Sequence, residues 1–322
     1  MKTSLLPTPE GLSLPQIMER FSTEEKAIEY FEAIRWTDGI VCPHCGNNDQ
    51  AKFWAIKGDT AKRIRAGLRQ CAECKKQFRV TVGTIFEDSH VPLNLWLVAW
   101  YLICGAKKGM SALQLKRHLW GDNRGSYKTA WFMAHRIRHA LQDPVFKKKL
   151  AGTVEVDETY VGGKQTGVGS GRKDNKTPVV SLVERNGNKR SIVMNRVTAK
   201  GLRESIREHV APQSTICTDD SNLYTNPGWE FHHYPVNHSK KEYARKVNEK
   251  FTAHSNTVES SFSLLKRGVV GSFHHVSKQH LPLYCAEFDF RWNHRNITDG
   301  ARTVEGLKKT IGKRLTYKPL TK

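Results

Sequence analysis

Val154-Glu155-Val156-Asp157-Glu158-Thr159-Tyr160-Val161 is an apolar, β-branched run with an acid at its centre. Such a run reads as a strand, and a carboxylate at its end is placed to hold a divalent ion. Alternation turns Glu158 away from the face that Asp157 uses. Working outward, Val179 to Glu184 and Ser191 to Val197 read as two more strands, joined at Arg185-Asn186-Gly187-Asn188, a hairpin signal. A helix from about Ala199 to His209 follows, then a buried strand Thr215 to Cys217 that ends at Asp219, with Asp220 flanking it and not counted as a ligand.

Three antiparallel strands, a helix and a further strand form the layout of a ribonuclease H-like domain. In that layout the ends of the first and fourth strands become neighbours, so Asp157 and Asp219 meet in space. A third acid comes from the helix that begins near Asn256. Its Val258, Phe262 and Leu265 share one face and anchor it, while Asn256, Glu259 and Lys266 share another. Glu259 completes a metal site, Asn256 is placed to bind metal or substrate beside it, and Lys266 to grip a phosphate. Each signal alone also has a bland reading, a turn-forming Asp or a solvated Glu; their combination points to phosphodiester chemistry with two Mg2+ or Mn2+ ions about 3.5 to 4 Å apart.

The whole chain has a formal net charge of +21 over 322 residues. A protein that basic repels itself, and a polyanion such as nucleic acid is the simplest partner. The cations recur along the entire sequence, so several domains are expected to touch one polymer. Six to ten phosphate contacts would cost roughly 10³ to 10⁵ in affinity between 50 and 200 mM salt. Met1 to Glu10 contains Pro7 and Pro9 and no apolar core, so no secretory signal is expected. Val91 to Ala106 is too short to span a bilayer and carries Asn94.

Of seven cysteines, Cys42, Cys45, Cys71 and Cys74 form two Cys-x-x-Cys pairs. The spacing argues for reduced, metal-binding cysteines in a zinc ribbon holding one structural Zn2+, although the loop between the pairs is long. His44 is a substitute ligand that a complete cysteine set leaves at the surface. Ahead of the ribbon, Ser22-Thr23-Glu24-Glu25 reads as a capping box opening a helix to about Trp36. After it, Phe78 to Val82 reads as an alternating strand.

From Pro92 to Leu141 the pattern is helical. A Ser111-capped helix, a turn at Gly121 to Gly125 and a Ser126-capped helix resemble a helix-turn-helix, with Lys128, Arg136, Arg138 and His139 outward on the second helix. An ordinary helical packing unit is the competing reading. The glycine- and lysine-rich stretch from Gly162 to Lys176 reads as a flexible loop, and His238 as a histidine near DNA or simply at the surface.

The segments Val154 to Lys164, Lys176-Thr177-Pro178-Val179-Val180 and His254 to Gly268 resemble the ISXO-type transposases of bacterial insertion sequences. So do His274-His275-Val276-Ser277 and Glu287 to Asn293, and the resemblance runs from about Phe21 to Asn296. It implies a zinc ribbon ahead of a ribonuclease H-like DDE domain that cuts at terminal inverted repeats and joins the 3′ ends to target DNA. Asp157 and Asp219 match the first two acids. Glu259 is favoured as the third because Lys266 stands seven residues on, as the family's acid-to-lysine step requires; some relatives carry Asn, which keeps Asn256 open.

The expected architecture is therefore multi-domain, α+β with α/β character. An N-terminal helical segment (1–37) precedes a zinc ribbon (38–88), a helix-turn-helix-like unit (89–150), a mixed-sheet catalytic domain (151–300) and a basic C-terminal tail (301–322). The expected partners are double-stranded DNA at the terminal repeats and target, and further copies of the chain on DNA. The expected setting is a bacterial cytoplasm, at the nucleoid, with no membrane. The main rival is a non-catalytic zinc-ribbon DNA-binding protein or an inactivated relic. A structure-specific nuclease is a further one, and a glycosidase fits neither the charge nor the cysteines.

Overall fold

The computed structural model describes residues 12–59, 61–143, 148–163, 176–224, 230–237, 240 and 242–321. The expectations for Lys164, for the glycines at 167, 169 and 171, and for His238 lie outside the described residues. The chain divides into two compact units: Met1–Ala106, Met110–Leu141 and Arg295–Lys322 in one, Lys107–Gly109 and Gln142–His294 in the other.

The first unit begins with α1 (Leu14–Arg20) and α2 (Glu24–Arg35). α2 buries Ala27, Ile28, Phe31 and Ile34, as their helical spacing demands. Its cap lies one residue later than the capping box suggested: the Thr23 hydroxyl accepts from Lys26 N at 3.4 Å, while Ser22 accepts from the Lys26 ammonium. Three short antiparallel strands follow, β1 (Phe53–Ile56), β2 (Leu68–Cys71) and β3 (Gln77–Phe78), in that order. The strand expected to continue to Val82 stops at Phe78. The Arg35 guanidinium takes the Val80 and Val82 carbonyls, the latter at 2.6 Å, and Gly83 turns the chain at φ +73°. Carbonyls satisfied by a side chain have no need of a strand partner.

Three helices complete this part, α3 (Leu93–Gly105), α4 (Ala112–Trp120) and α5 (Tyr127–Leu141). Ser111 caps α4 by accepting from Gln114 N at 3.1 Å. The outward basic face expected for α5 is corrected by the structure. Arg136 is 5% exposed and donates to the Leu315 carbonyl, and Arg138 is 2% exposed and donates to the Met110 carbonyl. What remains exposed is the beginning of the helix, Tyr127 and Lys128, with Arg124 in the turn before it.

The second unit is built on a five-stranded mixed sheet of β4 (Thr153–Gly162), β5 (Lys176–Glu184), β6 (Lys189–Val193), β7 (Thr215–Asp219) and β8 (His232–Val236). The order is β6-β5-β4-β7-β8; β4, β5 and β6 run antiparallel, and β7 and β8 lie parallel to β4 and to each other. This is a ribonuclease H-like arrangement. The sequence reading lacked β8, whose Pro235 argues against a strand; as an edge strand it has a free side on which a missing N–H costs nothing.

Between β6 and β7 lies α6 (Ala199–His209), whose Leu202 and Ile206 pack on Val154, Val156, Leu182 and Ile216 on one face of the sheet. A small hairpin of β9 (Arg245–Lys246) and β10 (Thr252–Ala253) leads into α7 (Asn256–Gly268). A π-helical turn, Val269–Phe273, then leads on to α8 (Leu281–Asn293). These helices cover the other face: Val258, Phe262 and Leu265 join Val179, Val183 and Phe288 in one apolar cluster.

The edge strand β6 is also stapled to α8 by polar groups. The Asn293 side chain accepts from Lys189 N at 2.7 Å and donates to Lys189 O at 3.1 Å, and Asp289 accepts from Ser191 N at 2.6 Å. The chain finally returns to the first unit with α9 (Asp299–Lys308), packed on α3. The stretch read as a basic tail thus includes most of a helix, and Lys313 beyond it donates to the Ala140 carbonyl. No helix among the described residues is long and apolar enough to cross a membrane.

Candidate active site and cysteine cluster

β4 and β7 are register partners through Glu155 and Cys217, so Asp157 and Asp219 stand two residues further along each strand, on the same face. α7 lies on that face, with Val258 buried and Glu259 exposed in its first turn. Asp157, Asp219 and Glu259 therefore share one electrostatic neighbourhood. The Asp157 carboxyl is pushed up from 3.8 to about 7, first by burial and then by the charges of Glu158, Asp219 and Glu259, against the Glu158 N–H that it accepts at 2.7 Å. Such an acid is poor at holding a charge by itself and is well served by a cation beside it.

Asp219 accepts from Ser221 N at 3.2 Å, and Glu259 accepts from the Ser255 hydroxyl at 3.2 Å. Asn256 is exposed at the first position of α7, and Lys266 is exposed near its end. Glu158 points to the opposite face and accepts from the Tyr224 hydroxyl at 2.5 Å. Burial, followed by the field of Asp219, raises its pKa nonetheless, so the acidic region extends around the strand. Tyr224 is buried, and its hydroxyl is held well above its ordinary pKa by burial and by Glu158. Asp220 is exposed.

The three acids offer only oxygen donors, a set suited to hard divalent ions. Among the described residues, the cysteines are the one group of three or more metal-type ligands whose donor atoms all lie within 4.8 Å.

Sequence reasoning passed over two residues that organise this region. Glu155 is completely buried and receives Thr257 N, Val258 N and Arg185 Nε at 2.8, 3.0 and 2.7 Å. Arg185, read only as part of a turn, reaches from the hairpin to both β4 and the entry to α7. The available signal was a second acid two positions before Asp157, on its face of the strand.

In the ribbon, Cys42 and Cys74 Sγ atoms lie 3.7 Å apart, and those of Cys45 and Cys71 3.8 Å apart. A tetrahedral ion with 2.3 Å bonds to sulfur requires sulfur–sulfur edges of about 3.8 Å, so the four residues fit Zn2+. The knuckles are held by backbone bonds, Gly46 N to Cys42 O and Cys71 N to Lys76 O. The Cys71 thiol is drawn down to about 6, first by the Cys74 N–H, with the Glu73 N–H and the Asn47 amide adding to it. Phe78 packs beneath with Cys42 and Cys71. His44 stays exposed, its ring near the Gln77 carbonyl.

Residues 149–293 match the ISXO2-like transposase domain, and residues 22–77 match the transposase zinc-ribbon domain. The chain is also 27% identical, over 293 residues, to an uncharacterized protein in transposable element ISH50 of Halobacterium salinarum, covering 85% of this chain and 92% of that protein. No solved structure matches.

Proposed function

Because this chain belongs to the ISXO2-like transposases and carries a transposase zinc ribbon ahead of the catalytic domain, we propose that it cleaves DNA at the terminal inverted repeats of its insertion sequence and joins the 3′ ends to target DNA. The observation that carries the reading is the placement of Asp157 and Asp219 on one face of adjacent parallel strands, under the α7 that bears Glu259; the Asp157 carboxyl is raised to about 7 by burial and then by the charges of Glu158, Asp219 and Glu259. Acids from two adjacent parallel strands and a helix, converging on one face of the sheet, form a phosphodiester-cleaving site. Two divalent ions, Mg2+ or Mn2+, held by these acids supply activation of the attacking oxygen and charge stabilisation of the departing one. Glu259 is the third ligand in preference to Asn256, since its charge already acts on Asp157.

The protein's own groups do the rest. Asp157 and Asp219 stand on hydrogen-bonded strands, which removes the freedom of their backbones before substrate arrives. Lys266, exposed on α7, contacts a phosphate beside the scissile bond. The ribbon, closed by one Zn2+ on Cys42, Cys45, Cys71 and Cys74, and the exposed start of α5 bind the repeat, and two or more copies assemble on the paired ends. The division of labour is a ribbon at 38–88, a helical DNA-binding unit at 89–150 and the catalytic domain at 151–300. The protein works at the nucleoid, in the cytoplasm.

The test is Mg2+-dependent nicking of terminal-repeat DNA, followed by strand joining. Loss of both in Asp157→Ala, Asp219→Ala and Glu259→Ala is the expected result. Cleavage that survives Asp157→Ala overturns the assigned site, and repeat binding without any cleavage by the wild type favours a DNA-binding relic.

A further inference from the structure

We propose that Glu155 and Arg185 form a buried brace that positions the acids of the active site, setting where Glu259 stands relative to Asp157 and Asp219. The proposal rests on the catalytic reading above, and concerns two residues that take no part in binding the ions.

Glu155 is 0% exposed, near the start of β4, the central strand of the sheet. A carboxylate there must be fully paired to be tolerated. It is: Oε2 accepts from Thr257 N at 2.8 Å and Val258 N at 3.0 Å, and Oε1 accepts from the Thr257 hydroxyl at 2.9 Å and Arg185 Nε at 2.7 Å. The His254 ring nitrogen Nδ1 also stands 3.1 Å from Oε1. Four donors occupy the acceptor sites of two oxygens, which leaves none for a metal ion. Of the acids in this strand, Glu155 is therefore excluded as a ligand by saturation.

The same bonds cap α7. A helix starts with amides that have no partner inside it, usually satisfied by the residue at the cap. Ser255 occupies that position, but its side chain makes no capping bond and turns to Glu259. Capping has passed to Glu155, from a strand a hundred residues away in sequence, with its negative charge at the positive end of the helix. Val258, whose amide is held, immediately precedes Glu259; Glu155 stands two residues before Asp157. One carboxylate thus ties the first acid to the third through short, directional bonds.

Arg185 extends the tie to the second acid and to the approach of α7. Its Nη1 donates to Thr252 O at 2.7 Å and its Nη2 to His254 O at 2.9 Å, while Nη2 also lies 3.8 Å from Cys217 Sγ, two residues before Asp219. A planar fork with donors on three sides meets all of these at once, and a lysine cannot.

The experiment uses the full zinc-loaded chain and two variants, Glu155→Gln and Arg185→Lys, so that a failure of one to fold leaves the other. Binding of Mn2+ alone is measured by electron paramagnetic resonance. Amide exchange is followed over residues 256–259, and cleavage of repeat DNA is measured with kcat and KM separated. The expected result is exchange at Thr257 and Val258 at least tenfold faster, Mn2+ affinity at least tenfold weaker and kcat at least 100-fold lower, with KM for DNA and zinc content unchanged. A global loss of stability would instead speed exchange throughout the unit. Variants with wild-type exchange, Mn2+ binding and kcat overturn the brace. If the wild type neither binds Mn2+ in an Asp157-dependent way nor cleaves, the catalytic reading falls. Faster exchange confined to 256–259 then still upholds the brace as the device that seats α7, and unchanged exchange overturns it.

Discussion

Asp157 and Asp219 occupy matching positions on adjacent parallel strands, each two residues beyond a hydrogen-bonded register pair, Glu155 and Cys217. Two acids held side by side by a sheet cannot relax apart, so the repulsion between them must be met by protons or cations.

Burial of Asp157, reinforced by the charges of Glu158, Asp219 and Glu259, gives the metal-free protein a defined pH dependence. The Asp157 carboxyl is raised from 3.8 to about 7, so the folded state binds this proton more tightly than the unfolded state. The stability it contributes is fully present below about pH 4 and is lost as pH rises through about 7. Asp157→Asn removes the dependence, and is expected to stabilise the metal-free protein at pH 8 by at most about 4 kcal/mol. Urea titrations at pH 5 and 8 measure this; a variant with the wild-type pH slope contradicts it. Added Mg2+ is expected to stabilise the wild type at pH 8 and leave Asp157→Asn nearly unchanged.

Zinc should be stoichiometric with the ribbon and should hold it folded. Cys71→Ser is expected to reduce bound zinc from about one per chain to nearly none, because three thiolates leave a tetrahedral site open. Cys104→Ala, which alters a buried cysteine outside the cluster, is expected to retain the metal. Elemental analysis of both purified proteins decides the matter.

The two ends of α5 should respond differently to loss of a cation. Lys128 is exposed, and Lys128→Ala is expected to weaken DNA binding several-fold and reduce the slope of log affinity against log salt by about 1, with the melting temperature unchanged. Arg138 is buried against the Met110 carbonyl, so Arg138→Ala is expected to cost about 2 to 4 kcal/mol of stability. Salt-dependent binding isotherms and thermal melts separate the two; the opposite assignment would place Arg138 at the DNA.

Asn293 donates to and accepts from the backbone of Lys189, acting as a short strand partner for β6. Asn293→Ala leaves a half-buried N–H and C=O unpaired and is expected to cost about 1 to 3 kcal/mol. Denaturant unfolding measures it, and faster exchange at Lys189 locates it; a neutral substitution refutes the staple.

Much of this molecule could be read directly from local pattern. The hairpin at Arg185 to Asn188, the span of α6, the apolar stripe Val258, Phe262 and Leu265, and the paired cysteines all appear where spacing placed them. The misreadings share a cause. Phe78 to Val82 alternates like a strand, yet Arg35 claims its carbonyls. Arg136 and Arg138 look solvated on a helical wheel, yet backbone carbonyls outside α5 receive them. β8 carries a proline that only its edge position excuses.

The amino-acid sequence by itself determined the periodicities, and through them the elements, the ribbon, the sheet and the candidate acids, because a repeat of two or 3.6 residues records which face of an element leaves water. Only the tertiary structure decided what the polar groups do. Glu155, Asp157 and Glu158 differ little as letters, yet one caps α7, one stands with Asp219 and Glu259, and one turns back to Tyr224. The reason is physical: burial follows local pattern, whereas a hydrogen-bond partner a hundred residues away exists only once the chain has folded.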